Sequence, residues 1–372
     1  VSRLTDTGVR RARVRSQLLS GPPARSVDEV VGTLVGVQAQ DAAAAALAVR
    51  ARSRGPVAAD VDQARDDRRV VLTWSLRGTR HLHRAEDVRW LLALLGPASR
   101  GRSRRVEQLG VGGEVGARAV AALGDALAAE GPLTRDQVKA RLAPHGVDPS
   151  GQAAIHVIAR AAREGVLCVL PGERYVLLDD WLGPAATSSG EVDADTGALA
   201  RRYLAAYGPA SPADFAAWSG LGSTAVRREW AAVADDLVEL APGAWLPAAD
   251  VDRAVAASRR PAPTRLLGAF DSLLLAYADR RLHLRPQDAP LVNPGGGMVR
   301  PVVVGDGRVV GTWSRTARGE VEVASFGGPA PDVGREAADV VRFLRRDPSP
   351  RTGRRRGGNG RPAGPGPPGP RR

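Results

Sequence analysis

Two stretches of the chain carry related text, Glu130-Gly131-Pro132-Leu133-Thr134-Arg135-Asp136-Gln137-Val138 and Tyr207-Gly208-Pro209-Ala210-Ser211-Pro212-Ala213-Asp214-Phe215. Each copy starts a short helix. A longer amphipathic stretch follows each (150–164 and 223–233), and then paired apolar runs that read as a hairpin, 166–170 with 174–178 and 237–240 with 244–246. Helix, turn, helix and wing in that order, twice, constrains the fold more tightly than any bulk property of the 372 residues. A third example lies upstream. After a helix-period stretch (4–19) and the loop Gly21-Pro22-Pro23, Ser26-Val27-Asp28-Glu29 has capping-box spacing and predicts a helix starting at Ser26, with Val30, Val31, Leu34 and Val35 on one face. Asp41 is placed to cap the next helix, which runs through the alanines to about Arg52, and Gln38 and Gln40 fall between the two. A further short helix leads to apolar runs at 70–76 and 79–83 around Arg77-Gly78, a hairpin.

The expected fold class is therefore α+β, with three tandem winged-helix units at 1–100, 101–183 and 184–260, whose third helices are available for DNA. A β-rich region follows at 261–346. Its expected strands are 270–277, 301–304 and 308–313, the last two joined by the hairpin signal Asp306-Gly307. The segment 347–372 is too rich in Arg, Gly and Pro to bury a core and reads as a disordered tail, a non-specific nucleic-acid arm.

Several function classes are excluded early. No run of eighteen apolar residues occurs, and the first thirty residues lack a signal-peptide pattern, so a soluble cytoplasmic, nucleoid-associated protein without a membrane partner is expected. The one cysteine, Cys168, cannot build a disulfide framework, a four-cysteine zinc site or a cysteine-ligated iron–sulfur cluster, and reads as a buried apolar residue. About half of the formal charge of +13 lies between Ser349 and Arg372, which hold seven arginines and no acid. The rest of the chain is modestly basic, which suits a polyanion without naming it. Of 53 basic residues only Lys139 is a lysine, the imprint of a GC-rich genome.

Four stretches resemble a known family, the AlkZ-like winged-helix DNA glycosylases associated with azinomycin resistance and interstrand-crosslink unhooking in bacteria. They are Gly36-Val37-Gln38-Ala39-Gln40, the hairpin text Thr73-Trp74-Ser75-Leu76-Arg77-Gly78-Thr79-Arg80-His81-Leu82, the segment from Leu267-Gly268-Ala269-Phe270-Asp271 to Asp279-Arg280, and Val304-Gly305-Asp306-Gly307-Arg308-Val309-Val310-Gly311-Thr312-Trp313. The likeness covers about 4–344. It implies a winged-helix DNA glycosylase in which a Gln-x-Gln motif is catalytic, here Gln38 and Gln40. Arg80, where an apolar residue is expected, and the arginine-rich tail depart from the family's pattern.

The chemistry suits these residues. A glycosylase extracts its nucleotide and assists departure of the base as positive charge grows on the sugar. A cationic N-alkylated purine leaves with little acid assistance, so positioning water and stabilising the sugar suffice, and neutral amides can do both. Two residues spaced by one in an extended linker point the same way. On spacing alone, the simpler account is that the two glutamines satisfy backbone groups between helices. Asp41 reads as a helix cap before a base. A lyase step needs an amine, and Lys139 is distant in sequence from the glutamines, so a monofunctional enzyme leaving an intact abasic site is expected.

The remaining candidates are His81 and Thr79 beside a substrate pocket, with ordinary hairpin packing as the alternative, and Arg50, Arg52, Arg54 and Arg77 as phosphate contacts, with a solvated helix face as theirs. The Asp306-Gly307 tip is a candidate probe of the duplex. His81-x-His83 lacks a third ligand, so neither metal nor cofactor is expected. Trp74 and Trp313 read as core residues. The expected partner of a monomer of this kind is double-stranded DNA bearing alkylated bases or crosslinks. The competing readings are a non-enzymatic winged-helix regulator and a protein that sequesters a DNA-damaging natural product.

Overall fold

The computed structural model describes residues 3–98, 104–184, 196–329 and 331–344; the expected tail at 347–372 lies outside them. Local capping chemistry sets the starts of the helices that flank the glutamine pair. α1 (Asp6–Ser16) begins at Thr5, whose hydroxyl accepts the Gly8 N–H. α2 (Val27–Thr33) begins at Ser26 as its spacing predicts: Ser26 Oγ accepts the Glu29 N–H at 3.1 Å. The Glu29 carboxylate reaches the Arg25 N–H instead of that of Ser26, so half of the capping box forms. After β1 (Val37–Gln38), Asp41 caps α3 (Ala42–Arg50) by accepting the Ala44 N–H at 3.0 Å. α4 (Ala58–Asp66) and the hairpin β2 (Val70–Trp74) and β3 (Arg80–Arg84) complete a first block.

Beyond α5 (Ala85–Ala98) and α6 (Arg104–Gln108) the order returns as α7 (Gly113–Glu130), α8 (Arg135–Leu142), α9 (Ala153–Arg163), β4 (Leu167–Leu170) and β5 (Arg174–Leu177). α10 (Leu178–Leu182) leads to a third block: α11 (Ala198–Tyr207), α12 (Pro212–Ser219), α13 (Ser223–Ala231), β6 (Leu237–Ala241) and β7 (Ala244–Pro247), then α14 (Val251–Ser258). The two copies of the sequence repeat are equivalent in detail. Thr134 with Gln137, and Ser211 with Asp214, form full capping boxes at α8 and α12. Leu133 exchanges both backbone hydrogen bonds with Tyr175, and Ala210 does so with Trp245. The first block repeats this tie, for β1 pairs with the outgoing hairpin strand β3. In all three, the segment entering the second helix is stitched to the far strand of the hairpin, and Gln38 occupies that stitch in the first block.

The hairpins are not independent. Leu72 on β2 pairs with Val169 on β4, which joins the first two into one five-stranded sheet of order β1-β3-β2-β4-β5; β6 and β7 form a separate pair. A third sheet, β11-β10-β9-β8, is built from β8 (Arg265–Leu267), β9 (Val302–Gly305), β10 (Arg308–Arg315) and β11 (Val321–Ser325). Between β8 and β9 lie α15 (Ser272–Leu275) and α16 (Ala289–Val292), and α17 (Gly334–Phe343) follows β11. The strand expected at 270–277 is therefore a helix. Asp271 caps it by accepting the Leu273 N–H, and Phe270 turns the chain with φ 58°. An apolar run as short as this does not distinguish the two states by pattern, and the cap decides.

Three groups of expected DNA contacts are instead structural. The Arg52 side chain is fully buried, grips Asp271 through two hydrogen bonds of 2.8 Å, and donates to the carbonyls of Gln17 and Ala48. Arg50 is 2% exposed and spans Glu336 at 3.0 Å, Asp339 at 3.2 Å and the Leu266 carbonyl. Neither guanidinium faces solvent, so neither meets a phosphate. The Asp306-Gly307 turn forms, but its tip sits on α1. Asp306 binds Arg11 through two 2.8 Å hydrogen bonds and accepts the Ala262 N–H, and a Cβ at Gly307 would lie 2.9 Å from Arg10 and Val14. A tip held this way is no free probe. Arg54 alone of the trio at 50, 52 and 54 is exposed.

Breaking one partner of a buried ion pair leaves the other charge unpaired, at a cost of about 3–5 kcal/mol. Asp271→Ala is expected to lower stability by that order in urea unfolding, more than an exposed substitution such as Arg54→Ala.

Candidate active site

Gly36, at the start of the Gln-x-Gln stretch, has φ 147°, and a Cβ there would lie 2.5 Å from His83 Cε1. The missing side chain lets β1 close against the hairpin beneath it. Val37 pairs with Leu82 and Gln38 with His81, and the Ala39 N–H donates to the Arg80 carbonyl at 2.8 Å, so the extended run continues past β1. The period of two then sorts the side chains. Val37 and Ala39 are buried, Gln38 is half-buried and Gln40 is exposed. The glutamines point the same way, as the spacing predicts. Gln38 Nε2 donates to Gln40 Oε1 at 2.9 Å, and Arg77 Nη2 donates to Gln38 Oε1 at 2.7 Å. Their hydrogen bonds go to each other and to Arg77, not to backbone groups between the helices.

Arg77 sits in the turn between β2 and β3 with φ 53°. Its other terminal nitrogen donates to the Trp218 carbonyl of α12 at 2.6 Å. Both ends of the fork are thus committed within the protein, which displaces the expected phosphate contact. Thr79 also serves the turn: its hydroxyl donates to the Leu76 carbonyl at 3.2 Å, and its carbonyl accepts from His81 Nδ1 at 3.1 Å. Asp41 does what the cap reading required of it.

The two histidines on β3 stack with ring centroids 5.8 Å apart and are both buried. Val35 O can only accept, so His83 Nδ1 carries the proton in their 2.8 Å bond and Nε2 accepts from Ser75 Oγ at 2.6 Å. Burial pushes His83 down to about 4, and burial together with the nearby Arg77 charge holds His81 well below the usual imidazole range. Both are uncharged at neutral pH. His81 is buried and lies beside Gln38 in the sheet, the position of ordinary hairpin packing. Among the described residues no group of three His, Cys, Asp or Glu is placed to hold a metal ion. Cys168 is buried, its thiol pushed up to about 12 by desolvation.

Arg77 also lines a cleft of about 540 Å³ where the three blocks meet. Trp74 and Ser75 come from the first hairpin, His156 and Arg163 from α9, and Gly220 from the turn between α12 and α13. Arg163 Nε is buried there without a hydrogen-bond partner among the described residues. Sequence reasoning missed His156, Arg163 and Gly220 as wall residues. No local signal marks them, because only the packing of one block on another brings them together.

The family model for AlkZ-like DNA glycosylases matches residues 31–346. The chain is similar to an interstrand DNA cross-link repair glycosylase of Streptomyces sahachiroi, at 30% identity over 360 residues that cover 89% of this chain and 94% of that protein. It is also similar to the solved structure of the S. sahachiroi DNA glycosylase AlkZ, with a TM-score of 0.80 and 28% identity, covering 92% of this chain and 97% of that one.

The buried imidazoles set a pH dependence. The unfolded chain takes up a proton on each near pH 6.5, whereas His83 in the folded chain resists protonation down to about pH 4. The unfolded state binds more protons over that window, so stability falls as pH drops from 6.5 toward 4. Unfolding midpoints measured across this range are expected to decline toward acid, with a smaller decline in His83→Asn.

Proposed function

Because the chain belongs to the AlkZ-like DNA glycosylase family, we propose that it hydrolyses the N-glycosidic bond of N7- or N3-alkylated purines in duplex DNA. In line with the crosslink repair stated for its S. sahachiroi relative, it also unhooks interstrand crosslinks by releasing a crosslinked base. The observation that carries this reading is the Gln38–Gln40 pair, turned outward side by side and joined through Arg77 to the cleft.

In the proposed reaction the glycosidic electron pair leaves with the base and neutralises its positive charge, while positive charge grows on the sugar. Water adds to C1′ and gives its second proton to solvent. Gln38 and Gln40 hold that water and face the sugar; both are neutral, so neither must be deprotonated first. Asp41 Oδ1 is occupied by the α3 cap. His81 acts from beside Gln38 by fixing its strand, with Thr79 fixing His81 in turn. Lys139, the one lysine, lies on α8 at 3.9 Å from Asp136, in the second block. The product is then an intact abasic site.

We read the three blocks as winged-helix units, close to 1–100, 101–183 and 184–260, followed by the β-rich region to 346. Arg54 is the member of the basic trio placed to meet a phosphate. One chain carries the whole site, so the protein acts as a monomer.

Single-turnover release of 7-methylguanine from methylated duplex DNA tests the reading. The native protein is expected to release the base, and Gln38→Ala and Gln40→Ala to lose release by two orders of magnitude or so while still binding DNA, in keeping with about 10²–10³ for deletion of one stabilising amide elsewhere. Strand breaks are expected only after alkali. Native-level release by both variants would sink the catalytic assignment.

A further inference from the structure

We propose that Arg77 is a positioning residue that fixes which way round the two glutamine amides face, and that the α12–α13 turn of the third block holds it in place. The inference rests on the catalytic reading of Gln38 and Gln40. An amide's oxygen and nitrogen ends have the same shape, so an exposed glutamine can present either. Arginine has donors only. Gln38 must therefore turn Oε1 toward Arg77 Nη2 at 2.7 Å, which directs its Nε2 to Gln40 at 2.9 Å and obliges Gln40 to present Oε1 in return. Gln40 Nε2 is left facing outward. One guanidinium thus gives the pair a division of labour: Gln38 keeps a lone pair on Oε1 for the attacking water, and Gln40 offers N–H to an oxygen of the substrate.

The turn that carries Arg77 is built to hold this register. The Ser75 N–H donates to the Thr79 carbonyl at 3.0 Å, the Gly78 N–H donates to Ser75 O at 2.9 Å, and Ser75 Oγ is pinned to His83. From the other side, Arg77 Nη1 is anchored on Trp218 O, and Gly220, with φ 77°, approaches so closely that a Cβ there would lie 3.0 Å from both Arg77 N and Arg77 Cα. Among the described residues no carboxylate forms an ion pair with Arg77. Its charge is left to polarise the Gln38 carbonyl, which strengthens the donor passed on to Gln40.

Arg77→Met keeps the packing stem and removes the donors. In single-turnover release of 7-methylguanine at saturating enzyme, it is expected to slow excision by about 10- to 100-fold, the scale of a misplaced reacting group. The Kd for the same duplex should stay within about twofold and its salt dependence unchanged. Because Arg77 acts through Gln38, the double variant Arg77→Met/Gln38→Ala should be no slower than Gln38→Ala alone. Gly220→Ala leaves Arg77 and both glutamines in the sequence but crowds the turn, and should slow excision in the same manner; it serves equally if Arg77→Met does not fold. Native-rate excision by the folded variants overturns the proposal. So does a loss that lies in Kd with a salt slope reduced by about one, the mark of a phosphate contact, or losses that multiply in the double variant. A native rate in Gln38→Ala would instead overturn the catalytic reading of the glutamines.

Discussion

Arg52 and Asp271 meet with no exposed side-chain surface on either partner, and the rest of the architecture is organised around that contact. Arg52 closes the C-terminal end of α3, and Asp271 caps α15 after β8, so a single bidentate pair joins the first block to the C-terminal region. Gln17 enters the same knot from the end of α1, through its carbonyl to Arg52 and its amide to Tyr277. Desolvating both charges is costly, and the cost is offset only when every remaining donor is satisfied. Here the Arg52 fork is satisfied by Asp271, Ser272 and backbone carbonyls. The helix that follows the glutamine strand is thereby fixed at its far end by a region more than two hundred residues away.

Arg50 extends the same logic two residues earlier, to Glu336 on α17, and Arg11 repeats it at the Asp306 turn. The β-rich region is thus clamped to the first block through guanidinium–carboxylate contacts, while the third block meets it through the Trp218–Gly220 turn. The candidate site lies between these two clamps. Its glutamine strand is held from below by the hairpin, from the α3 side by the buried pair, and at Gln38 by Arg77, which is itself anchored on Trp218 across the cleft.

What could be read from the sequence was local or periodic. The caps at Ser26 and Asp41, the repeat at Pro132 and Pro209, the hairpin around Arg77-Gly78 and the common direction of Gln38 and Gln40 depend on neighbours within a few residues, and all formed. Function was read from motif likeness, which the family match supports. What was misread depended on partners far along the chain. An arginine on a helix looks the same whether it faces water or a carboxylate at position 271 or 336, so the pattern around Arg50 and Arg52 reads as phosphate contacts or a solvated helix face. The 270–277 segment failed differently, because an apolar run of that length suits a strand and a helix alike until a capping carboxylate is counted. The Asp306-Gly307 turn was found but not its resting place, since nothing nearby in sequence announces Arg11.

The pairing of Leu72 with Val169 has a consequence for how such a chain can change over time. Repeated blocks usually tolerate being lost, duplicated or exchanged, because each carries its own boundaries. Here β2 and β4 each cover the other's open edge, and a first block cut loose would expose an apolar strand with unpaired backbone groups, a template for aggregation. Mutual dependence of this kind binds the first two blocks into one unit, whose separation would cost the shared sheet.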